Sequence, residues 1–68
     1  MNPDWLACAT GTRYLHKLRP YSVEHCGRSW YVFVRGYVLR GRHHGAIGFK
    51  TADAAARKAQ NHWKRTRP

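Results

Sequence analysis

Ser29-Trp30-Tyr31-Val32-Phe33-Val34, then Arg35-Gly36, then Tyr37-Val38-Leu39-Arg40 is the stretch that decides the fold. A run of aromatic and β-branched residues behind a turn predicts a strand. Arg35-Gly36 interrupts the run and Tyr37 resumes it, which predicts a hairpin. With a two-residue turn, Val34 opposes Tyr37, Phe33 opposes Val38, Val32 opposes Leu39 and Tyr31 opposes Arg40. Opposed residues share a face. Trp30, Val32, Val34, Tyr37 and Leu39 then make a charge-free face, the expected core. Tyr31, Phe33, Val38, Arg40 and, if the ladder extends, Arg42 make the other, which is expected to face outward.

Working back from this hairpin, Tyr21-Ser22-Val23-Glu24-His25 alternates apolar and polar residues and predicts another strand. Cys26-Gly27-Arg28-Ser29 supplies the turn between the two. Residues 1–20 read as an irregular lead-in. Within it, Trp5-Leu6-Ala7-Cys8 is a short apolar patch, Ala9-Thr10-Gly11-Thr12 a turn, and Arg13–Leu18 is ambiguous between a strand and a helical turn. Arg19-Pro20 ends that segment, because the residue before proline avoids the helical region.

Working forward, Gly41-Arg42-His43-His44-Gly45 reads as a polar loop. Ala46-Ile47-Gly48-Phe49 is a short apolar exit, either the end of the third strand or a small fourth one. Thr51 suits a helix N-cap and Asp53 the first turn. Ala54 stands where a full capping box would place Glu or Gln. Residues 52–65 are alanine-rich, with no Gly or Pro, and predict a helix. Ala52, Ala55, Ala56, Ala59 and Trp63 recur at helical spacing and form its buried stripe. The expected architecture is α+β: one small domain over 1–68, with an antiparallel three-stranded sheet over 21–49 packed against one C-terminal helix over 51–65.

Composition bears on the partner. The 68 residues hold 13 Lys and Arg against three acids, a formal net charge of +10. Self-repulsion of that size is normally relieved by a polyanion, and nucleic acid is the commonest one. A hydrophobic content of 43% argues for a folded core rather than a disordered basic tail. No apolar run approaches the ~20 residues of a membrane span. Met1–Ala9 lacks the basic start and apolar run of a signal peptide. Both point to a cytoplasmic protein, in the host cytoplasm if phage-encoded.

Cys8 and Cys26 are too few for a disulfide framework and read as two reduced thiols, with one bridge open to an exported chain. Cys8, His16, His25, Cys26, His43, His44 and His62 form no pair with zinc-ligand spacing, so no metal or other cofactor is expected. Asp4, Glu24 and Asp53 form no paired carboxylates, and no nucleophile elbow or phosphate loop is present, so an enzyme is not expected.

The candidate binding face carries Tyr31, Phe33, Arg40 and Arg42. Arginine pairs with guanine edges or phosphate, and aromatics stack on bases. The alternative is that Tyr31 and Phe33 lie under the N-terminal segment as a second small core. Arg42, His43 and His44 sit in a cationic loop suited to a groove or a phosphate, or to plain solvation. Arg57, Lys58, Lys64, Arg65 and Arg67 form a basic helix flank and tail. Arg13, Lys17 and Arg19 form another basic group.

The order SWYVFV, glycine turn, second strand, Gly48-Phe49-Lys50-Thr51 and alanine-rich helix resembles a known small fold. It is similar to the three-stranded-sheet-plus-helix DNA-binding domain of phage-type tyrosine integrases and plant ethylene-response-type transcription factors. The resemblance covers Ser29 to Arg65 and rests on a Phe-x-Thr junction before a helix of the form ADAAARKA. It implies a sheet lying in the DNA major groove with the helix behind it. The reading strands would be Tyr21–His25, Ser29–Val34 and Tyr37–Arg42, with Arg28, Tyr31, Phe33, Arg35, Arg40 and Arg42 as contacts. The expected function is therefore a non-enzymatic, nucleic-acid-binding accessory or regulatory factor of a phage or mobile element, with duplex DNA as partner. The alternative is an inhibitor or adaptor that docks on an acidic host protein.

Overall fold

A computed structural model describes residues 2–41 and 45–66. Its architecture is α+β, an antiparallel sheet with one C-terminal helix. The strands are β1 (Trp5–Ala7), β2 (Arg13–His16), β3 (Tyr21–Cys26), β4 (Ser29–Val34) and β5 (Tyr37–Val38), and the helix is α1 (Ala52–Thr66). They pair in chain order as a five-stranded meander.

The sheet thus has five strands where the sequence predicts three. The residues expected to be an irregular lead-in contribute β1 and β2, paired Trp5 with His16, Leu6 with Leu15 and Ala7 with Tyr14. Arg13–His16, ambiguous by sequence, is a strand because it has neighbours on both sides: β1 on one edge, and β3 through Tyr14–Val23 and Leu15–Ser22 on the other. The expected turn at residues 9–12 closes the first hairpin. There the Cys8 N–H donates to the Arg13 carbonyl at 2.8 Å, and Gly11 adopts a φ of 72°.

The central hairpins follow their turn residues. Gly27, at φ 62°, is the first central residue between β3 and β4, the position a type II′ turn gives to glycine. Arg35 and Gly36, at φ 50° and 86°, both have the positive φ that a type I′ turn requires. Val34 pairs with Tyr37 and Phe33 with Val38, the expected register. β5 is shorter than Tyr37–Arg40, yet the Leu39 N–H still donates to the Val32 carbonyl at 2.7 Å. The chain then leaves the sheet, bridges Arg40 to Ala46, and returns so that Phe49 and Trp30 exchange backbone hydrogen bonds. The exit segment thus fills the edge of β4 that β5 leaves open.

Helix α1 starts as the sequence predicts. Thr51 Oγ1 accepts from the Ala54 N–H at 3.1 Å, a serviceable N-cap without the full box. Ala55, Ala56 and Ala59 are buried, and Ala52 and Trp63 pack against the core. Small side chains let the helix lie close to β3 and β4, where Tyr21, Val23 and Val32 fill the space. Val23 is wholly buried, and such burial contributes about 1.5–3 kcal/mol per side chain. Tyr21 also hydrogen-bonds through Oη to His62 Nδ1 at 2.6 Å, tying β3 to the last turns of the helix. Arg19 lies 5.1 Å from the Trp63 ring centroid and closes that end.

One core expectation is corrected. Tyr37 has the right parity for the covered face but is 78% exposed. The helix spans β3 and β4 only, so the end of β5 projects beyond its reach.

Candidate nucleic-acid interface

The pleat divides the sheet into two faces. The face under α1 carries Tyr14, Tyr21, Val23, Trp30, Val32, Val34 and Leu39, all in or against the core. The register assigns the opposite face to Leu6, Leu15, Ser22, Phe33 and Val38 in one cross-sheet row, with Arg13, Glu24 and Tyr31 in the next. Among the described residues no helix or strand lies over this face. Leu6 is 53% and Leu15 46% exposed, whereas Ser22, set between Leu15 and Phe33, is only 8% exposed. Ser22 is the one small residue in a row whose other members are large and apolar.

The second-core alternative for Tyr31 and Phe33 is resolved by the same pairing. The N-terminal segment does not fold over them; it joins the sheet edge to edge as β1 and β2. Tyr31 and Phe33 both keep part of their surface exposed. Gly48 crosses close to Ser29 and Tyr31: a Cβ there would stand 2.9 Å from Ser29 Cβ and Oγ and 3.6 Å from Tyr31 Cε1. Glycine is what lets the exit segment lie beside the aromatic strand.

Arg28 occupies the β3–β4 turn and Arg35 the β4–β5 turn, both exposed, so they bracket β4 from opposite ends. The six residues of β4 separate them, roughly 20 Å or more of extended chain. Arg40 shares the parity of Phe33 and Val38 and sits at the far edge, where it bridges Ala46. Arg42, His43 and His44 lie outside the described residues.

Sequence reasoning missed Leu6 and Leu15, and it left Arg13 and Lys17 as an unplaced basic group. Arg13 faces Glu24 at 3.6 Å on the open side. Lys17 follows β2, its N–H donating to the Asp4 carbonyl, and the Arg35 N–H donates to the Pro20 carbonyl at the same end of the sheet. Exposed cations therefore stand at both ends of the open face: Lys17 and Arg35 at one, Arg28 and Lys50 at the other. No sequence periodicity signals this, because it depends on pairing between strands far apart in the chain.

Two groups have shifted acidities. Hydrogen bonding from the Thr10 side chain lowers Cys8 to about 6; burial opposes the shift, and backbone groups at Thr10 and Thr12 reinforce it. Both cysteines are free thiols. Burial lowers His16, and Arg19 lowers it further against the opposing pull of Asp4. His16 Nδ1 accepts from the Leu18 and Arg19 N–H groups, both at 3.1 Å. His16 and Arg19 line a cleft of about 200 Å³ with Asp4, Trp5, Tyr21 and Gln60. In this cleft His16 is tied to the backbone through Nδ1, and the Arg19 guanidinium lies over the Trp63 ring. Among the described residues, no three His, Cys, Asp or Glu gather to hold a metal, and no helix is long and apolar enough to cross a membrane.

No protein family, curated protein or solved structure matches this chain.

Proposed function

We propose that this protein binds nucleic acid through the open face of its sheet and acts as a non-enzymatic accessory or regulatory factor. One observation carries the reading: an aromatic and apolar sheet face with no described helix or strand over it has exposed cations at both ends, in a chain of net charge +10. Cations neutralise phosphates and release counterions, and aromatic side chains supply surfaces for bases.

The test is fluorescence anisotropy with labelled DNA, single-stranded and duplex, across a salt series. Between 50 and 200 mM salt, affinity should fall from about 50-fold for four phosphate contacts on a single strand to about 10³-fold for six on a duplex. Absence of binding to either form at 50 mM salt would sink the proposal.

A second reading has its own support. Leu6 and Leu15 are large, exposed and adjacent on the same face. Apolar patches rimmed by polar residues also mark protein-docking surfaces, so the face would suit an acidic protein. Pull-down from nuclease-treated lysate separates the two: a partner retained without nucleic acid favours docking, and loss of all partners favours direct nucleic-acid binding.

A further inference from the structure

We infer that the open face takes an unpaired strand of DNA or RNA, with bases stacked on Tyr31 and Phe33, rather than a duplex. The inference rests on the nucleic-acid reading above and narrows it to a substrate class.

The width of the sheet argues against a duplex. The resemblance to groove-reading domains points to the major groove, and those sheets have three strands. Five strands, all hydrogen-bonded side by side, make a sheet about 19 Å wide at the usual inter-strand spacing. The major groove is about 12 Å wide. Laid flat, this sheet meets the phosphate ridges before its centre reaches a base edge.

The chemistry of that centre also favours an unpaired strand. Leu6, Leu15, Ser22, Phe33 and Val38 run across the sheet in one row, apolar but for the buried serine. An apolar row is a poor match for a wall of phosphates. It is a good match for the faces of unpaired bases, whose stacking on side chains is tolerant of sequence. The positive groups lie at the ends, where a backbone leaving the sheet would pass Arg28 and Lys50 on one side and Lys17 and Arg35 on the other.

Spacing favours it as well. Tyr31 and Phe33 are two residues apart on one strand and on one face, which sets them about 6.8 Å apart. That is about twice the 3.4 Å rise per nucleotide of a duplex strand. Consecutive bases reach both rings only if the strand is pulled out of its stack, as unpaired strands allow. Arg28 and Arg35 then stand roughly three nucleotides apart at that spacing.

The net charge of +10 favours a polyanion over a second copy of this chain as the occupant, since two copies facing each other would juxtapose the same cations.

The experiment compares a labelled 12-nucleotide single strand, as DNA and as RNA, with a duplex of the same sequence at 50 mM salt. Either single strand should bind at least about tenfold tighter than the duplex. Tyr31→Leu with Phe33→Leu keeps the apolar bulk and removes the rings. It should cost about tenfold or more on the single strand and leave duplex binding within about twofold. Tyr31→Phe and Phe33→Tyr keep the rings and should restore binding. Circular dichroism melting checks that each variant folds. Independently of any variant, photocrosslinking of a strand carrying 5-iodouracil should map to Tyr31 or Phe33 by mass spectrometry.

Equal or tighter duplex binding, equal losses on both forms, or crosslinks confined to α1 would each overturn the single-strand inference while leaving nucleic-acid binding standing. A dimer in sedimentation equilibrium that Phe33→Leu converts to monomer would assign the face to a second copy and overturn it as well. Failure of both forms to bind would overturn the nucleic-acid reading itself.

Discussion

Arg35 holds the backbone at φ 50° in the first central position of the β4–β5 turn. The left-handed region costs an L-residue roughly 1–2 kcal/mol. Asparagine tolerates it far better and is the usual partner of glycine in a type I′ turn. Gly36 is already in place at φ 86°. Arg35→Asn should therefore stabilise the fold by about 0.5–1 kcal/mol, which is a rise in Tm of about 2–8 °C for a domain of this size. The same change removes a cation from one end of the open face, so affinity for a single strand should drop and the slope of log K against log salt should lessen by about 0.7. A variant that is both more stable and a weaker binder would mark Arg35 as a strained residue held for its contact. If Tm does not rise, the turn is not under strain; if affinity is unchanged, Arg35 touches no phosphate. At His16 the fold depends on a neutral ring. Its neutral ring accepts two backbone N–H groups through Nδ1, and burial, reinforced by Arg19, holds its folded pKa below that of a free imidazole. The unfolded state therefore binds more protons between the two values, and stability rises with pH there. The contribution is fully present above about pH 6.5 and is lost as pH falls through the lowered folded value. His16→Asn offers an oxygen acceptor that does not titrate. In urea melts, the stability advantage of wild type over His16→Asn should shrink from pH 8 to pH 5, and a constant or widening gap would exclude this role.

Among the elements, α1 depends on what its side chains lack. Ala55 and Ala59 are buried against Tyr21, Val23 and Val32, and the space beyond them is filled from the sheet. Ala59→Leu adds three carbons to a filled site and should destabilise the fold by about 1–3 kcal/mol. Asn61→Leu, on an exposed position of the same helix, should stay within about 0.5 kcal/mol. Equal effects in chemical denaturation would mean the helix is not seated by its alanine stripe. This helix and the β4–β5 hairpin are the elements most legible in the sequence, because each carries its own signal locally: an N-cap and a 3.6-residue stripe in one, a β-rich run around a glycine turn in the other. β1 and β2 are not legible in that way. Trp5-Leu6-Ala7 is too short to show alternation, and Arg13–His16 has the composition of either a strand or a helical turn. What makes them strands is the pairing Leu6–Leu15 and Tyr14–Val23, a relation between segments. The site follows the same division. Tyr31 and Phe33 are assigned to the open face from the hairpin alone, whereas Leu6, Leu15 and Lys17 join them only once the first hairpin extends the sheet.

On the scale of the whole molecule, the net charge of +10 sits in a body of 31 × 28 × 18 Å. At 10 mM salt the Debye length is about 30 Å, so every cation feels nearly every other one; at 150 mM it is about 8 Å, and only neighbours interact. Folding gathers the charges, so repulsion opposes it most at low salt. The free protein should therefore melt at a higher temperature in 200 mM than in 10 mM sodium chloride. Saturating single-stranded DNA should reverse the order. At low salt the ligand binds tightly, and at 100 times Kd it adds about 2.7 kcal/mol to stability; at high salt counterion release no longer favours binding and that gain disappears. The salt dependence of Tm should thus change sign when the polyanion is added. Simple screening of a solvated basic surface, with no binding face, predicts the same positive slope with and without the strand. Opposite slopes therefore locate the relief of the charge in a complex, and parallel slopes would leave the cations as nothing more than a solvated surface.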